Sequence, residues 1–441
     1  MFRAPGPASM PNPPMSPALT PARALAEIDA LEKFGIDLGL ERVEVCLAAL
    51  GNPHRQVPCV HVGGTNGKGS TAMLLSAALT ACGLRTGLFT SPPLEFFGER
   101  IRVDGELLPD AAVPDLYRAV RNAAPPGMTQ FEIITAMALL HFARVGVDLA
   151  VVEVGLGGRL DSTNVVAPEV SVITNVGLEH CEHLGVTVAE IAGEKGGIVK
   201  PGIPLVTSAQ GEALSVLEQL AAARGAPVYV LGREFRSEPT GPGLLDYRGL
   251  HTRWDGVVYR LRGAHQADNL AVALATLEVL TIRGWNLPEE AVRRGIAAAT
   301  WPGRLEECGS APTVLLDGAH NPHASRVLAA ALRDEFRYRR LWLVLGILGD
   351  KDAHSILADL APLADRLVLT ASASLRALAA GDLTAAARQY TRVDAVSVPG
   401  VAAALDWALS EAGPDDLVCV TGSLTTVGEA RGHLRRLGRL P

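Results

Sequence analysis

The sequence lacks closely spaced cysteines. Its six cysteines are scattered over 441 residues, and no two of them form a Cys-x-x-Cys pair. Zinc-binding knuckles and disulfide-stabilised secreted domains both depend on short, regular cysteine spacings. We therefore expect neither class, and we expect reduced, buried thiols in a fold that a hydrophobic core holds together.

Net positive charge and long apolar stretches are missing as well. The formal net charge is −7, and the longest apolar stretches, such as residues 341–348, are short. Attraction to nucleic acid requires clustered Lys and Arg, and a membrane span requires roughly 20 consecutive apolar residues. We therefore expect a cytoplasmic protein with no nucleic-acid partner and no membrane helix.

Acidic residues are absent from the first 26 positions, which are crowded with proline. Arg3 and Arg23 give this segment a superficial likeness to a transit peptide, but it has no amphipathic period. Its prolines disfavour a helix and leave little apolar surface to bury. We interpret residues 1–22 as a disordered leader, with a targeting segment as the alternative.

What the sequence does contain is a repeated alternation of β-rich runs and amphipathic segments. Its hydrophobic content of 48% is sufficient for the cores of two or three domains. Two short helices are predicted near residues 24 and 40, and the alternation over residues 57–174 predicts a mostly parallel sheet with helices on both faces. Short strands with turn residues at positions 244–261 predict an antiparallel hairpin beside that sheet.

A break in this alternation divides the chain. A Trp-Pro-Gly-Arg sequence ends a predicted helix, so we interpret residues 301–308 as a hinge linker. The alternation restarts after it. We therefore predict an α/β protein, with a mostly parallel sheet domain over residues 23–300 and a smaller Rossmann-like α/β domain over residues 309–441.

A glycine-rich turn between a predicted strand and a predicted helix has the features of a phosphate-binding P-loop. It follows the apolar residues 57–62 and leads into a helix predicted at residues 70–81. Its glycines would let backbone N–H groups approach phosphate oxygens, and Lys68 would neutralise charge that moves during phosphoryl transfer. The predicted ATP-binding residues of this segment are Gly64, Thr65, Asn66, Gly67, Lys68, Gly69, Ser70 and Thr71.

The spacing of this loop differs from the common G-x-x-x-x-G-K-[ST] pattern. Gly63 precedes Gly67 by one residue fewer, and Gly69 separates Lys68 from Ser70. A plain glycine turn and an ordinary P-loop motor or GTPase are the alternatives at this point. The variant spacing disfavours the motor and the GTPase.

Two further predicted strands end in groups that suit a metal ion. Glu153 ends an apolar strand and precedes a glycine-rich loop with Arg159 and Asp161, and His180 follows the next strand. Ligands of doubly wound sheets bind beyond the carboxyl ends of the strands, where Glu153 would hold Mg²⁺ and His180 a second metal. A structural ion pair between Glu153 and Arg159 and a structural His180 are the alternatives. Lys195, at the end of an amphipathic helix, has the features of an ordinary C-terminal cation.

Seven features, in this order along the chain, resemble the folylpolyglutamate synthase branch of the Mur ligase superfamily. The likeness covers nearly all of residues 24–430. It implies an ATP-binding domain with a folate site, followed by a second ligase domain. The features are GTNGKGS at 64–70, TSPPLEFFGERIRV at 90–103, EVGLGGRLDSTN at 153–164, the spacing from His180 to Lys195, HQADNLAVALATL at 265–277, WPGRLE at 301–306 and LDGAHNPHA at 316–324.

The resemblance assigns residues to a metal site. Residues that match Ser91, Glu153 and His180 hold two Mg²⁺ ions beside the triphosphate in proteins of this kind. The lysine that matches Lys195 is typically carbamylated and steadies a metal. The resemblance therefore replaces the interpretation of Lys195 as an ordinary helix-terminal cation.

The resemblance also assigns residues to ATP and to the folate. Asn269 matches an asparagine that contacts adenine, Arg304 and Asp317 match contacts to ATP, and His320 lies in a loop that would face the phosphates. Together with Lys68 and the lysine of the metal site, His320 is a candidate catalytic residue. The residues implied for the pterin site are Thr129, Gln130, Phe131, Glu132, Leu160, Asp161 and Ser162.

The activity implied by the resemblance is ATP-dependent addition of L-glutamate to the carboxylate of folates through an acyl-phosphate. Dihydropteroate is a second candidate substrate, and proteins that look like this are commonly monomers. One alternative is a cell-wall Mur ligase of the UDP-MurNAc type, which carries an additional domain before the P-loop, where fewer than 65 residues stand here. A P-loop switch without ligase activity is the other. A Ser-Leu-Arg-Ala sequence departs from the family's usual loop and leaves the role of Arg376 open.

Overall fold

The structure is a computed structural model that describes residues 19–31 and 38–440. Most of the predicted leader, residues 1–18, lies outside these ranges. No helix within them combines the length and the apolar character that crossing a membrane requires.

The first helix begins inside the predicted leader. Helix α1 (Pro21–Ala30) has Pro21 at its first position, where a backbone N–H donor is not needed. The Thr20 hydroxyl accepts a hydrogen bond from the N–H of Arg23 at 3.3 Å and caps the helix. Ala24 and Ile28 are fully buried, so the folded domain starts two residues before the predicted boundary.

A mostly parallel sheet forms the first domain, as predicted. Within the described residues it has eight strands in the order β4-β3-β2-β5-β1-β6-β7-β8, and only the edge strands β3 and β4 pair antiparallel. The central position of β1, between β5 and β6, explains why it is fully buried and mostly apolar. The strands are β1 (Cys59–Gly63), β2 (Thr86–Phe89), β3 (Ile101–Val103), β4 (Glu106–Leu107), β5 (Leu149–Glu153), β6 (Val170–Ile173), β7 (Leu205–Thr207) and β8 (Val228–Val230).

Helices cover both faces of this sheet. Alternate strand residues enter two separate cores, with Val60 and Val151 in one and Cys59 and Val152 in the other. The first core includes α3, α9 and α10, and the second includes α1, α2, α4 and α5. The helices after α1 are α2 (Glu41–Ala49), α3 (Lys68–Ala81), α4 (Val113–Ala123), α5 (Gln130–Val145), α6 (Cys181–Leu184), α7 (Val188–Lys195), α8 (Gly211–Ala223), α9 (His265–Ile282) and α10 (Glu289–Ala298).

A small antiparallel sheet lies against α9. The predicted hairpin forms from β10 (Leu244–Arg248) and β11 (Arg253–Val258), and β9 (Arg236–Gly241) pairs with the other edge of β10. Tyr247 and Val257 are buried in the same core as α9. The sequence pattern had therefore indicated two of its three strands.

The second domain is a smaller α/β sandwich, as predicted. Its described strands follow the order β12-β13-β17-β14-β15-β16, with parallel pairs except between β12 and β13. Helices pack on both faces and enclose two cores. The elements are β12 (Glu306–Cys308), β13 (Thr313–Leu316), α11 (Pro322–Asp334), β14 (Leu341–Leu345), α12 (Ala353–Leu360), β15 (Arg366–Leu369), α13 (Ala380–Ala387), β16 (Ala395–Ser397), α14 (Val401–Glu411), β17 (Leu417–Thr421) and α15 (Leu424–Arg436).

The predicted hinge linker is too long at its carboxyl end. Residues 306–308 form β12, and Glu306 pairs with Leu316 across the antiparallel ladder. The preceding helix α10 already ends at Ala298, and after Pro302 and Gly303 the chain joins the second sheet as an edge strand. The second domain therefore begins at residue 306 rather than at residue 309.

The two domains are joined by a partly buried group of charges that we call the interdomain ion cluster, composed of Glu95, Glu306, Arg431 and Arg435. Arg435 Nη1 lies 2.6 Å from Glu95 Oε2, and Arg431 contacts Glu95 and also Glu306, the latter at 3.0 Å. Glu95 belongs to the loop after β2, whereas both arginines belong to α15. The cluster therefore fixes α15 against the first domain.

Candidate active site

A cavity of about 920 Å³ lies between the two domains, beyond the carboxyl ends of β1, β5 and β6. This size and position are typical of ligand sites in α/β proteins. Both domains contribute to its wall. The predicted site residues that line it are Gly64, Thr65, Asn66, Gly67, Lys68, Gly69, Ser70, Ser91, Glu153, His180, Lys195, Asn269, Arg304, Asp317 and His320.

The phosphate loop has the predicted context of strand, glycine turn and helix. Gly67 precedes α3 with a φ of 84°, and a Cβ on it would collide with the side chain of Asn269. Lys68 Nζ donates to the carbonyl oxygens of Gly64 and Thr65 at 2.9 and 3.0 Å. The loop therefore presents the amino end of a helix and an ammonium group to the cavity, which together favour an anion.

One predicted residue of this loop does not reach the cavity. Thr71 is fully buried in α3, and its hydroxyl has no hydrogen-bond partner in the described structure. Ser70, one residue earlier, lines the cavity. Of the two predicted residues that carry a hydroxyl at this point, only Ser70 therefore lines the cavity.

Glu153 lies at the end of β5, directly beside β1. Its Oε2 accepts a hydrogen bond from the backbone N–H of Ser91 at 3.1 Å, so the loop after β2 is held against β5. Burial raises the pKa of Glu153, while Lys68, the Ser91 N–H and Arg304 act in the opposite direction. The structure thus brings Lys68, Ser91 and Glu153 together.

His180 completes the predicted metal set at the end of the loop after β6. Its backbone has a left-handed φ of 48°, and burial lowers the pKa of its imidazole. A neutral imidazole keeps a lone pair for a metal. Because the neutral form is favoured, His180 retains the chemistry that the prediction requires.

The residues fit a metal that is shared with a substrate better than a closed protein cage. Over residues 19–31 and 38–440, no three His, Cys, Asp or Glu side chains are arranged to hold a metal ion. Ser91, Glu153 and His180 offer a hydroxyl, a carboxylate and an imidazole at one cavity wall. Mg²⁺ commonly takes one or two protein ligands and completes its shell with phosphate oxygens and water. This donor set is therefore suited to Mg²⁺ bound together with a nucleotide.

Lys195 is buried beside the phosphate loop rather than exposed at a helix end. Its Nζ donates to the Gly64 carbonyl oxygen at 2.9 Å and to Glu179 Oε1 at 2.7 Å. Burial lowers the pKa of Lys195 to about 8. Glu179 was not predicted as a site residue, although it immediately precedes His180 and lines the same cavity.

The second domain supplies a neutral histidine and a buried aspartate. His320 Nδ1 donates to the Gly318 carbonyl oxygen at 2.8 Å, and burial lowers the pKa of His320 to about 4, so its Nε2 is an acceptor at neutral pH. Asp317 accepts from the N–H of Leu305 at 3.0 Å and from that of Ala319 at 2.9 Å. Asp317 therefore holds the segment that carries Arg304 at the cavity.

Contacts across the cavity involve residues that sequence reasoning had not paired. Asn66 of the phosphate loop accepts from Asn321 Nδ2 at 3.1 Å and lies 3.1 Å from His323 Nδ1. Lys351 and Arg376 of the second domain also line the cavity. The signal for His323 was present in the AHNPHA motif, but its partner in the first domain depends on how the domains dock.

The seven residues predicted for the pterin do not line this cavity. Thr129 caps α5, and Glu132 accepts its N–H at 2.7 Å and the Arg42 guanidinium at 3.0 Å. Gln130 Nε2 donates to the Ile28 carbonyl at 3.3 Å. These polar groups are engaged in helix capping and in fixing α1 and α2.

Phe131 and the loop with Leu160, Asp161 and Ser162, which also belong to the predicted pterin site, lie closer to the cavity. Phe131 packs against Phe89 and lies directly over Gly155, which does line the cavity. Asp161 binds the N–H of Leu156, also a lining residue, at 2.7 Å, while Leu160 and Ser162 flank it in the chain. The structure therefore connects Phe131 and Asp161 to the cavity wall through the loop after β5.

Comparisons with known proteins agree with this architecture. Residues 62–277 match the Mur ligase middle domain, and residues 303–424 match the glutamate ligase domain of Mur ligases. The dihydrofolate synthase/folylpolyglutamate synthase of Mycobacterium tuberculosis is 39% identical over 437 residues, covering 90% of this chain and 90% of that protein. A probable bifunctional folylpolyglutamate synthase/dihydropteroate synthase of Haloferax volcanii is 40% identical, but this chain spans only 49% of its length.

Solved structures give the same result. The folylpolyglutamate synthase of Mycobacterium tuberculosis complexed with ADP superposes with a TM-score of 0.88 at 36% identity, covering 94% of this chain and 99% of that one. E. coli FolC in complex with DHPP and ADP gives 0.85 at 32% identity, covering 94% and 98%. The predicted resemblance is confirmed: the chain belongs to the folylpolyglutamate and dihydrofolate synthase family of Mur ligases, which are ATP-dependent ligases.

Proposed function

We propose that this protein adds L-glutamate to the carboxylate of folates at the expense of ATP, and that it also joins glutamate to dihydropteroate. The observation that carries the proposal is the convergence of Lys68, Glu153 and His180 on one cavity that the second domain closes. Relatives named for both activities, from Mycobacterium tuberculosis and Bacillus subtilis, support the two substrates. A cytoplasmic monomer without a nucleic-acid partner belongs to the same proposal.

The chemistry requires an activated carboxylate. A carboxylate oxygen of the folate attacks the γ-phosphorus of ATP, the bond to the ADP oxygen breaks, and an acyl-phosphate forms. The glutamate amine then attacks the acyl carbon, phosphate leaves, and the amine loses a proton as the amide forms. Such phosphoryl transfers depend mainly on positioning and on neutralisation of charge.

The residues of the first domain suit the charge-neutralising part. Lys68 and the amino end of α3 would bind the β- and γ-phosphates, and the hydroxyl of Ser70 faces the same space. Ser91, Glu153 and His180 would hold Mg²⁺, which neutralises phosphate charge when bound. Asn269, beside Gly67, is suited to the adenine or ribose side of the nucleotide.

The second domain suits the protection of the acyl-phosphate from water. Asn321 and His323 contact the phosphate loop at Asn66, and Arg304 and Asp317 close the cavity from the linker side. Excluding water favours attack by the amine over hydrolysis. The neutral Nε2 of His320 is placed to accept a proton in this enclosed space.

Carbamylation of Lys195 is part of the proposal. The reaction requires the neutral amine, which adds CO₂ and loses a proton, and burial already lowers the pKa of Lys195. The product would be an anion next to Lys68 and the Gly64 segment. Such a group would complement a cation held at Glu153 and His180.

The decisive experiment supplies purified protein with ATP, Mg²⁺ and L-glutamate, and with either tetrahydrofolate or dihydropteroate. We expect ADP release that requires both glutamate and the acceptor, and a product one glutamyl residue heavier by mass spectrometry. ADP release that is indifferent to glutamate and acceptor would instead support a P-loop switch. Activity only with a UDP-sugar acceptor would support a cell-wall ligase.

A further inference from the structure

A buried hydrogen-bond chain connects the central strand of the first sheet to the cavity wall. His61, in the middle of β1, is fully buried, and its Nε2 lies 2.8 Å from the Thr163 hydroxyl. The same hydroxyl donates a hydrogen bond to Asp161 Oδ1. Asp161 Oδ2 in turn accepts the N–H of Leu156 at 2.7 Å.

The direction of the hydrogen bonds follows from the number of protons. Thr163 has one hydroxyl proton, and it is donated to Asp161, so the facing His61 Nε2 must carry a proton. Burial lowers the pKa of His61 to about 3, which keeps the ring neutral. Its Nδ1 is then a bare nitrogen, and it has no hydrogen-bond partner in the described residues.

The acceptor positions of Asp161 are filled by the chain itself. Oδ1 accepts the Thr163 hydroxyl and the Thr163 N–H, the latter at 2.9 Å, and the N–H groups of Leu156 and Gly155 bind the carboxylate as well. A carboxylate has about four acceptor sites. Asp161 is only 2% exposed, and all of these hydrogen bonds come from the chain itself.

The loop that Asp161 binds is a wall of the active-site cavity. Gly155, Leu156 and Gly157 follow Glu153 after one intervening residue, Val154, and all three line the cavity. Gly157 has a φ of 67°, so the loop depends on a left-handed turn that few side chains tolerate. Such a turn needs fixed partners for its N–H groups, and Asp161 provides them.

We propose that His61 and Thr163 are positioning residues, which hold Asp161 and through it the 155–157 loop in the place where the acceptor carboxylate meets Glu153. This inference rests on the proposed function. It also explains why a polar, fully buried histidine stands in the centre of an otherwise apolar strand.

The test is Thr163→Val, which removes the hydroxyl and nearly preserves the shape of the side chain. We expect kcat/KM for the folate to fall about tenfold, because a hydrogen bond to a carboxylate is lost, while KM for ATP stays unchanged. Amide hydrogen exchange at Leu156 should become faster. Thr163→Ser, which keeps the hydroxyl, should restore both values.

The matched control is Thr135→Val. Thr135 is also fully buried, but its hydroxyl has no hydrogen-bond partner within the described chain, so its loss should change neither Leu156 exchange nor kinetics. If Thr163→Val does not fold, the variants His61→Gln and His61→Met are compared instead. Of the two new side chains, only glutamine can still donate a hydrogen bond to the Thr163 hydroxyl. The glutamine variant should then resemble the wild type, and the methionine variant should show the loss.

Two results would overturn the inference. One is unchanged Leu156 exchange in a folded Thr163→Val protein, and the other is faster exchange with unchanged folate kinetics. If the wild type itself shows no glutamate-dependent ADP release, the proposed function fails. Exchange at Leu156 still tests the hydrogen-bond chain in that case, because it does not require turnover.

Discussion

At the scale of single residues, Glu153 is the group on which the proposed chemistry depends most. Glu153→Gln keeps the size of the side chain and an acceptor for the Ser91 N–H, but removes the negative charge that suits Mg²⁺. We expect kcat to fall by about 10²–10³, as for other groups that stabilise transition-state charge. The measurement is glutamate- and folate-dependent ADP release at saturating Mg²⁺. A variant with a rate near that of the wild type would remove Glu153 from the site.

Glu278 provides the matched control, because it is a buried carboxylate outside the cavity. It accepts hydrogen bonds from Tyr247 Oη at 3.0 Å and from the N–H groups of Leu250, His251 and Thr252 at 2.9, 2.5 and 3.0 Å. In Glu278→Gln, the side-chain NH₂ group would face some of these donors and could not accept their hydrogen bonds. We expect the free energy of unfolding to fall by about 1–3 kcal/mol in chemical denaturation, with kcat of the folded protein unchanged. A large loss of kcat with normal stability would contradict this assignment.

The protonation state of Lys195 makes the site sensitive to pH. Its folded-state pKa of about 8 means that the ammonium form predominates below that pH and the neutral amine above it. Since only the neutral amine takes up CO₂, the carbamate should increase as pH rises from about 7 to about 9. NMR with ¹³C-bicarbonate measures it directly. Lys195→Arg, which stays protonated, should abolish the signal, and a signal that persists in this variant would assign the carbamate to another amine.

The phosphate loop and the strand ends could be interpreted from the sequence, because backbone geometry and charge restrict which residue types can occupy these positions. A side chain at Gly67 would collide with Asn269, Lys68 follows β1, and Glu153 ends the adjacent parallel strand β5. Glu179 was missed because an acidic residue in a polar loop has no pattern of its own. Only the tertiary contact with Lys195 reveals its place.

At the scale of elements, α15 makes the contact on which domain docking depends. A Cβ on Gly428 would collide with the backbone carbonyl oxygen of Leu94, so the helix can lie against this loop only because residue 428 has no side chain. Gly428→Ala should therefore separate α15 from the loop, although alanine favours the helix itself. We expect kcat/KM to fall about tenfold or more, because the two halves of the cavity are displaced.

Gly381→Ala is the control for this prediction. Gly381 lies in α13, and a Cβ there would meet no atom within 4 Å. Its activity should equal that of the wild type. Limited proteolysis near residues 301–305 gives a second measurement, with faster cleavage expected only in Gly428→Ala. Equal cleavage and activity in both variants would show that docking does not require this close contact.

Strands could be predicted from the sequence where both of their faces are buried, because burial on both faces requires mostly apolar side chains. The strands β1, β5 and β6 are fully buried and mostly apolar because helices cover both faces of the sheet. The short edge strands β4 and β9 and the strand β12 are exposed or partly exposed, so their sequences carry no comparable pattern. The error at the hinge linker has this cause, since β12 pairs on one side only.

At the scale of the whole molecule, the division into two α/β domains followed from the alternation of strands and helices and from the break near residue 301. Which residues of the two domains would meet did not follow. The contact of Asn66 with Asn321 joins positions 255 residues apart, and sequence spacing holds no information on such pairs. Thr129 and Glu132 illustrate the same limit, because the structure shows that they form the capping box of α5, whereas the contact with a pterin that the resemblance implies stays a prediction.

The interdomain ion cluster has a consequence for behaviour in salt. The side chains of Glu95 and Arg431 are only 5% and 14% exposed, so dissolved ions have little access to the attraction between them. Ordinary surface pairs weaken as ionic strength rises, because their charges are surrounded by water. Raising sodium chloride to molar concentration should therefore leave the domains joined and small-angle scattering unchanged, although the exposed ion pairs elsewhere are screened. This enzyme would then hold its two halves together in brine as firmly as in dilute buffer.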